Sequence, residues 1–217
     1  ISFTDKSPYG DAIDPEISAA VRVTAKLLAG LGHHVEERAP PLAADPAALM
    51  TTFVGGNTAL TIRLLEQRVG RTLTSDDVER LTLASGQSSV KMTPADYVAA
   101  QLAAFQVSRG LATFFEGCDV FLSPTLCAPP LRLGELNTMS EDLSHIAPVL
   151  RRYMPGTSMF NMSGQPAMSV PLAWNKAGLP LGMMFAAKLG EEGLLFRLAA
   201  QLEQVRPWKD KRPPVCA

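Results

Sequence analysis

The sequence lacks the features that would tie a protein to nucleic acid or to a membrane. No run of Lys or Arg is longer than two, and 20 basic residues stand against 21 acidic ones, so we expect no nucleic-acid partner. No apolar stretch approaches the roughly 20 residues that a membrane span requires. No basic segment followed by an apolar one marks a signal peptide. We therefore expect a cytoplasmic protein that does not bind a membrane.

Cysteine and histidine are also scarce, with three residues of each. The cysteines are Cys118, Cys127 and Cys216, an odd and scattered set that argues against a disulfide framework and for a reducing compartment. His33 and His34 are adjacent and point in different directions, and no further His or Cys pair completes a ligand shell. His145 is alone in a loop, where we expect it to be exposed. We expect no metal and no cofactor.

The composition is that of a globular protein, with 47% hydrophobic and 19% charged residues. A chain of 217 residues is long enough for one domain with a sizeable core, or for two small ones. It opens at Ile1 without a Met, and the first four residues, ISFT, already have the character of a strand. We therefore expect the sequence to begin partway through a larger protein.

Residues 1–45 are predicted to form a strand, a helix and a second strand. The strands are residues 1–4 and 35–39. Between them, Asp14 is placed to cap a helix that has Pro15 at its first position. A strand–helix–strand unit of this size indicates the α/β class.

Residues 46–117 are predicted to be mainly helical. Pro46 and Pro94 each mark a helix start, the second of them behind Thr93 as N-cap.

Residues 118–217 are predicted to hold strands, a cleft loop and a terminal helix. CDVFLSP at 118–124 is typical of a buried strand, and two further strands at 167–174 and 179–187 are joined by the turn NKAG. Residues 128–159 are rich in proline and polar residues and are predicted to be a long irregular loop. EEGLLFRLAAQLEQV at the end of the chain is an amphipathic helix.

Five blocks, taken in order, carry a family resemblance. They are IDPEISAAVRVTAKLLAGLGHHVEE at 13–37, DVFLSPT at 119–125, FNMSGQPAMSVPLAW at 160–174, GLPLGMMFAA at 178–187 and RLAAQLEQVRPW at 197–208. Together they resemble the C-terminal half of the amidase signature family. The last blocks are most similar to bacterial amidases of the 6-aminohexanoate cyclic dimer hydrolase kind.

The resemblance implies a fold and a chemistry. The fold would be α/β, a mixed sheet flanked by helices on both faces and incomplete, with residues 1–217 as the C-terminal half of an amidase domain. The chemistry would be amide hydrolysis by a Ser–cis-Ser–Lys triad, with the oxyanion held by backbone N–H groups of a Gly- and Ser-rich loop. Residues 1–217 contain no such loop, and in the family all three triad members lie before the matching segment. We therefore expect no catalytic residue here and no activity from the isolated chain.

The resemblance also implies where the substrate lies. The loop at 145–160 should border a cleft, with four substrate-binding side chains: Tyr153, Met154, Met159 and Phe160. Long ordered loops in compact domains are often functional, and Met side chains suit an apolar pocket.

A set of residues around FNMSGQPA and LSPT is expected to have a structural role, with a role in the substrate pocket as the alternative for the turn. These residues are Pro124, Thr125, Asn161, Gly164, Gln165 and Pro166. The side-chain amides of Asn161 and Gln165 are predicted to satisfy backbone groups in a tight turn, and Gly164 to allow either a positive φ or close packing. Pro166 and Pro171 are predicted to bound the following strand.

Two single-residue signals allow more than one interpretation. Ser88 and Lys91 match the S-x-x-K pattern of serine acyl hydrolases, but the pattern specifies only two positions and also suits a solvated helix start. Cys127 is either a thiol near the cleft or a small buried apolar residue, and the second interpretation is favoured.

Two classes of function therefore remain open. One is the C-terminal portion of an amide-bond hydrolase, which shapes the substrate cleft and lacks the catalytic region. The other is a non-catalytic truncated domain that acts only in assembly. The expected partners are a small-molecule amide when the catalytic half is present, and either a second copy of this chain or the catalytic half itself.

Overall fold

The computed structural model of the chain describes residues 1–154 and 156–212. The strands are β1 (Ser2–Phe3), β2 (Glu36–Glu37), β3 (Val120–Pro124), β4 (Ala167–Trp174) and β5 (Pro180–Ala187). The helices are α1 (Pro15–Gly30), α2 (Pro46–Val69), α3 (Arg80–Ser89), α4 (Pro94–Glu116), α5 (Ile146–Tyr153), α6 (Thr157–Ser163) and α7 (Glu192–Val205). Cys216 and Pro155 lie outside the described residues.

The described strands form one mixed sheet in the order β2-β1-β3-β5-β4. β1 pairs in parallel with β2 and with β3, whereas β5 is antiparallel to both β3 and β4. This arrangement confirms the predicted α/β class and the predicted hairpin at the end of the sheet. The turn of that hairpin is closed by the backbone N–H of Gly178, which donates to the Asn175 carbonyl at 2.9 Å.

Helices cover both faces of the sheet because β3 and β5 are apolar on both sides. In β5, Met183 and Phe185 face one core cluster, which is completed by α1 and α7. The alternate residues Met184 and Ala186 face a second cluster, built by α4 and α6. Side chains of a strand alternate between faces, so one strand serves both layers.

The predicted helix starts are confirmed by their caps. Asp14 accepts from the Glu16 N–H at 2.8 Å, with Pro15 at the first helical position. Thr93 and Asp96 form a reciprocal capping box at the start of α4. These caps satisfy N–H groups that a helix leaves without an internal partner.

The predicted irregular loop at 128–159 is wrong from residue 146 onward. Helix α5 forms there although it contains Pro148, because Pro148 lies in the first turn, where a backbone N–H has no intrahelical acceptor. Helix α6 follows and is ended by Gly164 at φ +77°.

Pro171 does not bound β4, contrary to prediction. It lies inside the strand opposite Gly182, and the register shifts between Pro171 and Ala173. β4 is an outer strand of the described sheet, and a proline is tolerated at an irregular point of an edge strand.

Candidate functional site

The carboxyl ends of β1 and β3 meet at one edge of the sheet, because the two strands are parallel neighbours. A cavity of about 290 Å³ lies at this edge, beside the start of α6. In open α/β sheets, the carboxyl ends of parallel strands are where ligands commonly bind. This edge is therefore the candidate functional site, and we refer to it as the strand-end cavity.

Three hydroxyl-bearing residues line the strand-end cavity, namely Thr4, Ser7 and Ser123. Each is at most 8% exposed. Thr4 Oγ1 accepts from the Lys6 N–H and Ser7 Oγ accepts from the Tyr9 N–H, both at 3.2 Å. These bonds use oxygen lone pairs and leave the hydroxyl protons to donate.

Ser123 differs from the other two, because its Oγ is buried and has no hydrogen-bond partner among the described residues. Ser123 follows Phe121 by two positions on β3, so both side chains point into the layer that contains α4 and α6. A buried hydroxyl without a partner costs free energy, and such groups in folded proteins usually have a reason.

Cys127 also lines the cavity and is 3% exposed. Burial, with a smaller contribution from the negative charge of Asp11, raises the pKa of the Cys127 thiol to about 11. The thiol is therefore neutral at pH 7 and does not act as a nucleophile there. Cys127 is thus the small buried residue that the sequence favoured, and it is also near the cavity.

The loop that follows β1 is anchored to α1 by a carboxylate. The Asp5 carboxylate accepts from Arg22 Nε at 2.7 Å and Nη2 at 3.0 Å, and from the Ser18 hydroxyl at 2.6 Å. Burial opposes ionisation of Asp5, but these hydrogen bonds outweigh it and hold its pKa below its ordinary value. The anchor fixes the segment between Thr4 and Ser7.

The structure separates the four predicted substrate-binding side chains. Met159 lines the strand-end cavity. Met159 and Phe160 both belong to the core cluster built by α4 and α6, where the Phe160 ring centroid lies 6.4 Å from that of Phe121, but Phe160 does not line the cavity. Met154 is 40% exposed, and Tyr153 is partly buried, its carbonyl accepting from the Cys127 N–H at 3.0 Å. The roles of these side chains in substrate binding remain predictions.

The structural role of this set remains a prediction, and the structure shows the local geometry of four of its members. Gly164 has a positive φ, Pro124 lies at the cavity, and the Pro166 carbonyl accepts from the Ala187 N–H at 3.1 Å. Thr125 Oγ1 and Ser169 Oγ share a hydrogen bond of 2.6 Å, which joins the end of β3 to β4.

The predicted role of the two side-chain amides is wrong. Asn161 lies within α6 and is exposed, and Gln165 Oε1 is buried without a partner in the described part of the chain. The turn is closed by the backbone, because the Gly164 N–H donates to the Phe160 carbonyl at 2.9 Å. A left-handed glycine with this bond needs no side-chain cap.

The S-x-x-K serine makes no hydrogen bond to its lysine among the described residues. Ser88 lies near the end of α3 rather than at a helix start, and its hydroxyl donates to the Ser85 carbonyl at 2.9 Å. Lys91 follows the end of the helix and is exposed. A serine whose proton is held by a carbonyl rather than by a base is not an activated nucleophile.

The histidines occupy ordinary positions. His33 Nε2 lies 2.8 Å from the Gln201 side-chain oxygen, and His145 precedes α5. Across residues 1–154 and 156–212, no three His, Cys, Asp or Glu residues come close enough to hold a metal ion. None of the helices in these ranges combines the length and the apolar character of a membrane span.

The sequence patterns did not predict that three hydroxyl-bearing residues would line one cavity. Thr4, Ser7 and Ser123 each follow or end a strand, and polar residues at the ends of parallel strands are a recognised signal for a ligand site. The signal was weak because β1 contains only two residues and its pairing with β3 joins distant parts of the sequence.

Comparison with known proteins places this fold in context. The amidase family model matches residues 3–196. The 6-aminohexanoate-cyclic-dimer hydrolase of Pseudomonas sp. (strain NK87) is 34% identical over 217 residues, which is 95% of this chain and 44% of that protein. The protein of the same name from Paenarthrobacter ureafaciens is 32% identical, with the same coverage of 95% and 44%. The chain therefore spans less than half the length of these curated relatives.

Solved structures agree with the sequence comparison. A structure of 6-aminohexanoate cyclic dimer hydrolase matches with a TM-score of 0.88 and 30% identity, and covers 98% of this chain and 46% of that one. A bacterial aryl acylamidase of the amidase signature enzymes matches with a TM-score of 0.78 over 98% of this chain and 46% of that one. Its identity is 21%, so this second match shows the fold alone.

Proposed function

The chain belongs to the amidase family, and we propose that it is the cleft-shaping portion of an amide-bond hydrolase whose activated serine comes from another segment. One observation carries the proposal: a relative named as a hydrolase is 34% identical over 95% of this chain. The substrate class that follows is a small-molecule amide.

The geometry of the strand-end cavity supports a substrate-binding role for this chain and a catalytic role for the other segment. The strand-end cavity offers neutral hydrogen-bond donors beside apolar walls, which suits binding and orienting a neutral substrate. Its thiol, Cys127, is neutral at pH 7, and the Ser88 hydroxyl donates to the Ser85 carbonyl rather than to a base. Acyl transfer needs an activated nucleophile and donors for the developing oxyanion, and by this proposal the other segment supplies both.

A chimera tests the proposal directly. This chain would replace the matched 44% of the Pseudomonas hydrolase, and hydrolysis of a nitroanilide and of a cyclic amide would be measured. We expect turnover from the chimera and none from either portion alone. The same assay on the isolated chain and on its Ser88→Ala variant tests the S-x-x-K alternative, because turnover that disappears in the variant would support that alternative.

A role in assembly alone is the second candidate. It is favoured by the outer strand β4, on which Ala167 and Ser169 are exposed. A chimera that unfolds as one cooperative unit but hydrolyses no amide would support assembly and contradict the hydrolase proposal.

A further inference from the structure

We propose that the strand-end cavity binds the carbonyl group of a small neutral amide, with the Ser123 hydroxyl as the donor. This inference rests on the proposed function only for the choice of an amide as ligand. Its physical basis is the cavity itself, which combines a buried hydroxyl without a partner, two further hydroxyl protons and neutral apolar walls.

Ser123 is rigidly placed for this task. It lies on β3 between two paired strands, with Met184 of β5 as its register partner. Ser123 is 6% exposed and its Oγ is itself buried, so a carbonyl that bonds to this hydroxyl must displace a small part of the cavity wall and is then largely removed from water. A hydrogen bond made in such a place is electrostatically stronger than in water, and it relieves the cost of the unpaired hydroxyl.

The other two hydroxyls explain why the ligand group should be an acceptor. Thr4 and Ser7 already accept from backbone N–H groups, so what they offer to the cavity is an O–H proton. With Ser123, three donors line one cavity of about 290 Å³. A carbonyl oxygen has two lone pairs and can accept more than one of these bonds.

The charges around the cavity favour a neutral ligand. No Asp or Glu lines it, and the Cys127 thiol is uncharged at pH 7. Lys6 is the cation at the rim, and its ammonium lies 3.4 Å from the Glu37 carboxylate, with 75% of its side chain exposed. A buried charge without a close partner is costly, so an anion or a cation should bind more weakly than an amide.

Binding can be measured through the methyl NMR signal of Met159, because this residue lines the same cavity. The full 217-residue chain, labelled with ¹³C at the methionine methyl groups, would be titrated with hexanamide and followed by NMR. The Met159 signal would be assigned from the spectrum of Met159→Leu. We expect a saturable shift of the Met159 signal with hexanamide, and little or none with hexanoate or hexylamine at pH 7.

Three variants test the role of the hydroxyl. Ser123→Ala should weaken hexanamide binding about fivefold, because one neutral hydrogen bond is lost. Ser163→Ala is the matched control, since Ser163 Oγ is also buried without a partner in the described residues but does not line the cavity. Its affinity should equal that of the parent. Ala39→Phe, at an exposed position of the cavity wall, should abolish binding by filling the space.

The outcomes separate this inference from the proposed function. The inference would be overturned if hexanamide caused no saturable shift of the Met159 NMR signal, or if hexanoate bound with equal affinity. It would also be overturned if the Ser123 and Ser163 variants lost the same amount of affinity for hexanamide. The measurement involves no catalysis, so it can fail while the chimera hydrolyses amides. It can also succeed while the chimera is inactive, in which case the hydrolase proposal alone would fall.

Discussion

At the scale of single residues, burial of the Cys127 thiol should make the folded chain less stable at alkaline pH. The pKa of the folded thiol is about 11, whereas an unfolded cysteine titrates near 8.5. Above about pH 8.5 the unfolded chain therefore binds fewer protons than the folded chain, and stability falls as pH rises. Between pH 8.5 and 10 we expect a loss of about 1.5 kcal/mol attributable to this group, measured by urea unfolding.

The comparison variant is Cys127→Ala, which should remove that part of the pH slope. Cys118→Ala, at a partly buried cysteine, should keep it. Equal slopes in Cys127→Ala and in the parent chain would contradict the explanation by burial.

The ion pair between Asp5 and Arg22 gives the opposite pH dependence. Replacing Arg22 with Met leaves the Asp5 carboxylate, whose side chain is 7% exposed, with the Ser18 hydroxyl as its remaining side-chain partner. The variant should unfold at lower urea at pH 7. The deficit should shrink as the pH falls below about 4, because the folded pKa of Asp5 is depressed and protonation removes the stabilisation. Arg63→Met, at an exposed position of α2, should show no such dependence.

At the scale of secondary-structure elements, helix α6 serves the core and the cavity with adjacent residues. Met159 lines the strand-end cavity, while Phe160 packs against Phe121. Phe160→Ala should therefore cost about 3 to 5 kcal/mol of unfolding free energy, as large-to-small changes in a core do. Chemical denaturation would measure it.

Phe105 provides the control at this scale, because it is 62% exposed on α4. Its change to Ala should cost less than about 0.5 kcal/mol. If the two alanine variants were equally stable, Phe160 would not be a core residue.

At the scale of the whole molecule, the outer strand β4 predicts self-association. β4 pairs with β5 on one side, and its eight residues leave the other edge without a partner in the described sheet. Unpaired strand edges attract other chains, and a net charge of −1 gives little repulsion between copies. We expect a dimer by light scattering on the concentrated 217-residue chain.

A pair of lysine variants locates the contact. Ala167→Lys places a charge on β4, where it should raise the monomer fraction. Ala177→Lys makes the same change in net charge within the exposed turn of the same hairpin, and should leave the dimer intact. A parent chain that stays monomeric at high concentration would contradict the prediction.

The sequence alone was sufficient for features that neighbouring residues determine. The helix starts at Asp14-Pro15 and Thr93-Pro94 and the hairpin turn at Asn175–Gly178 were predicted correctly, and Gly164 has the positive φ that was one of its two expected roles. Each depends on hydrogen bonds or steric limits within about four residues. The mixed sheet with helices on both faces was predicted from the family resemblance, because local patterns do not determine it.

Other features were decided by tertiary structure. Helix α6 was not predicted because it lies in a proline-rich stretch and is stabilised by the packing of Met159 and Phe160. Local helix propensity does not include such packing. Met159 and Phe160 both pack in the same core cluster, but of the two only Met159 also lines the cavity, and the local sequence does not determine this difference. Thr4 and Ser123 meet only because β1 pairs in parallel with β3. Hydrogen bonds between strands bring together residues far apart in sequence, and the strand-end cavity exists only once that pairing has formed.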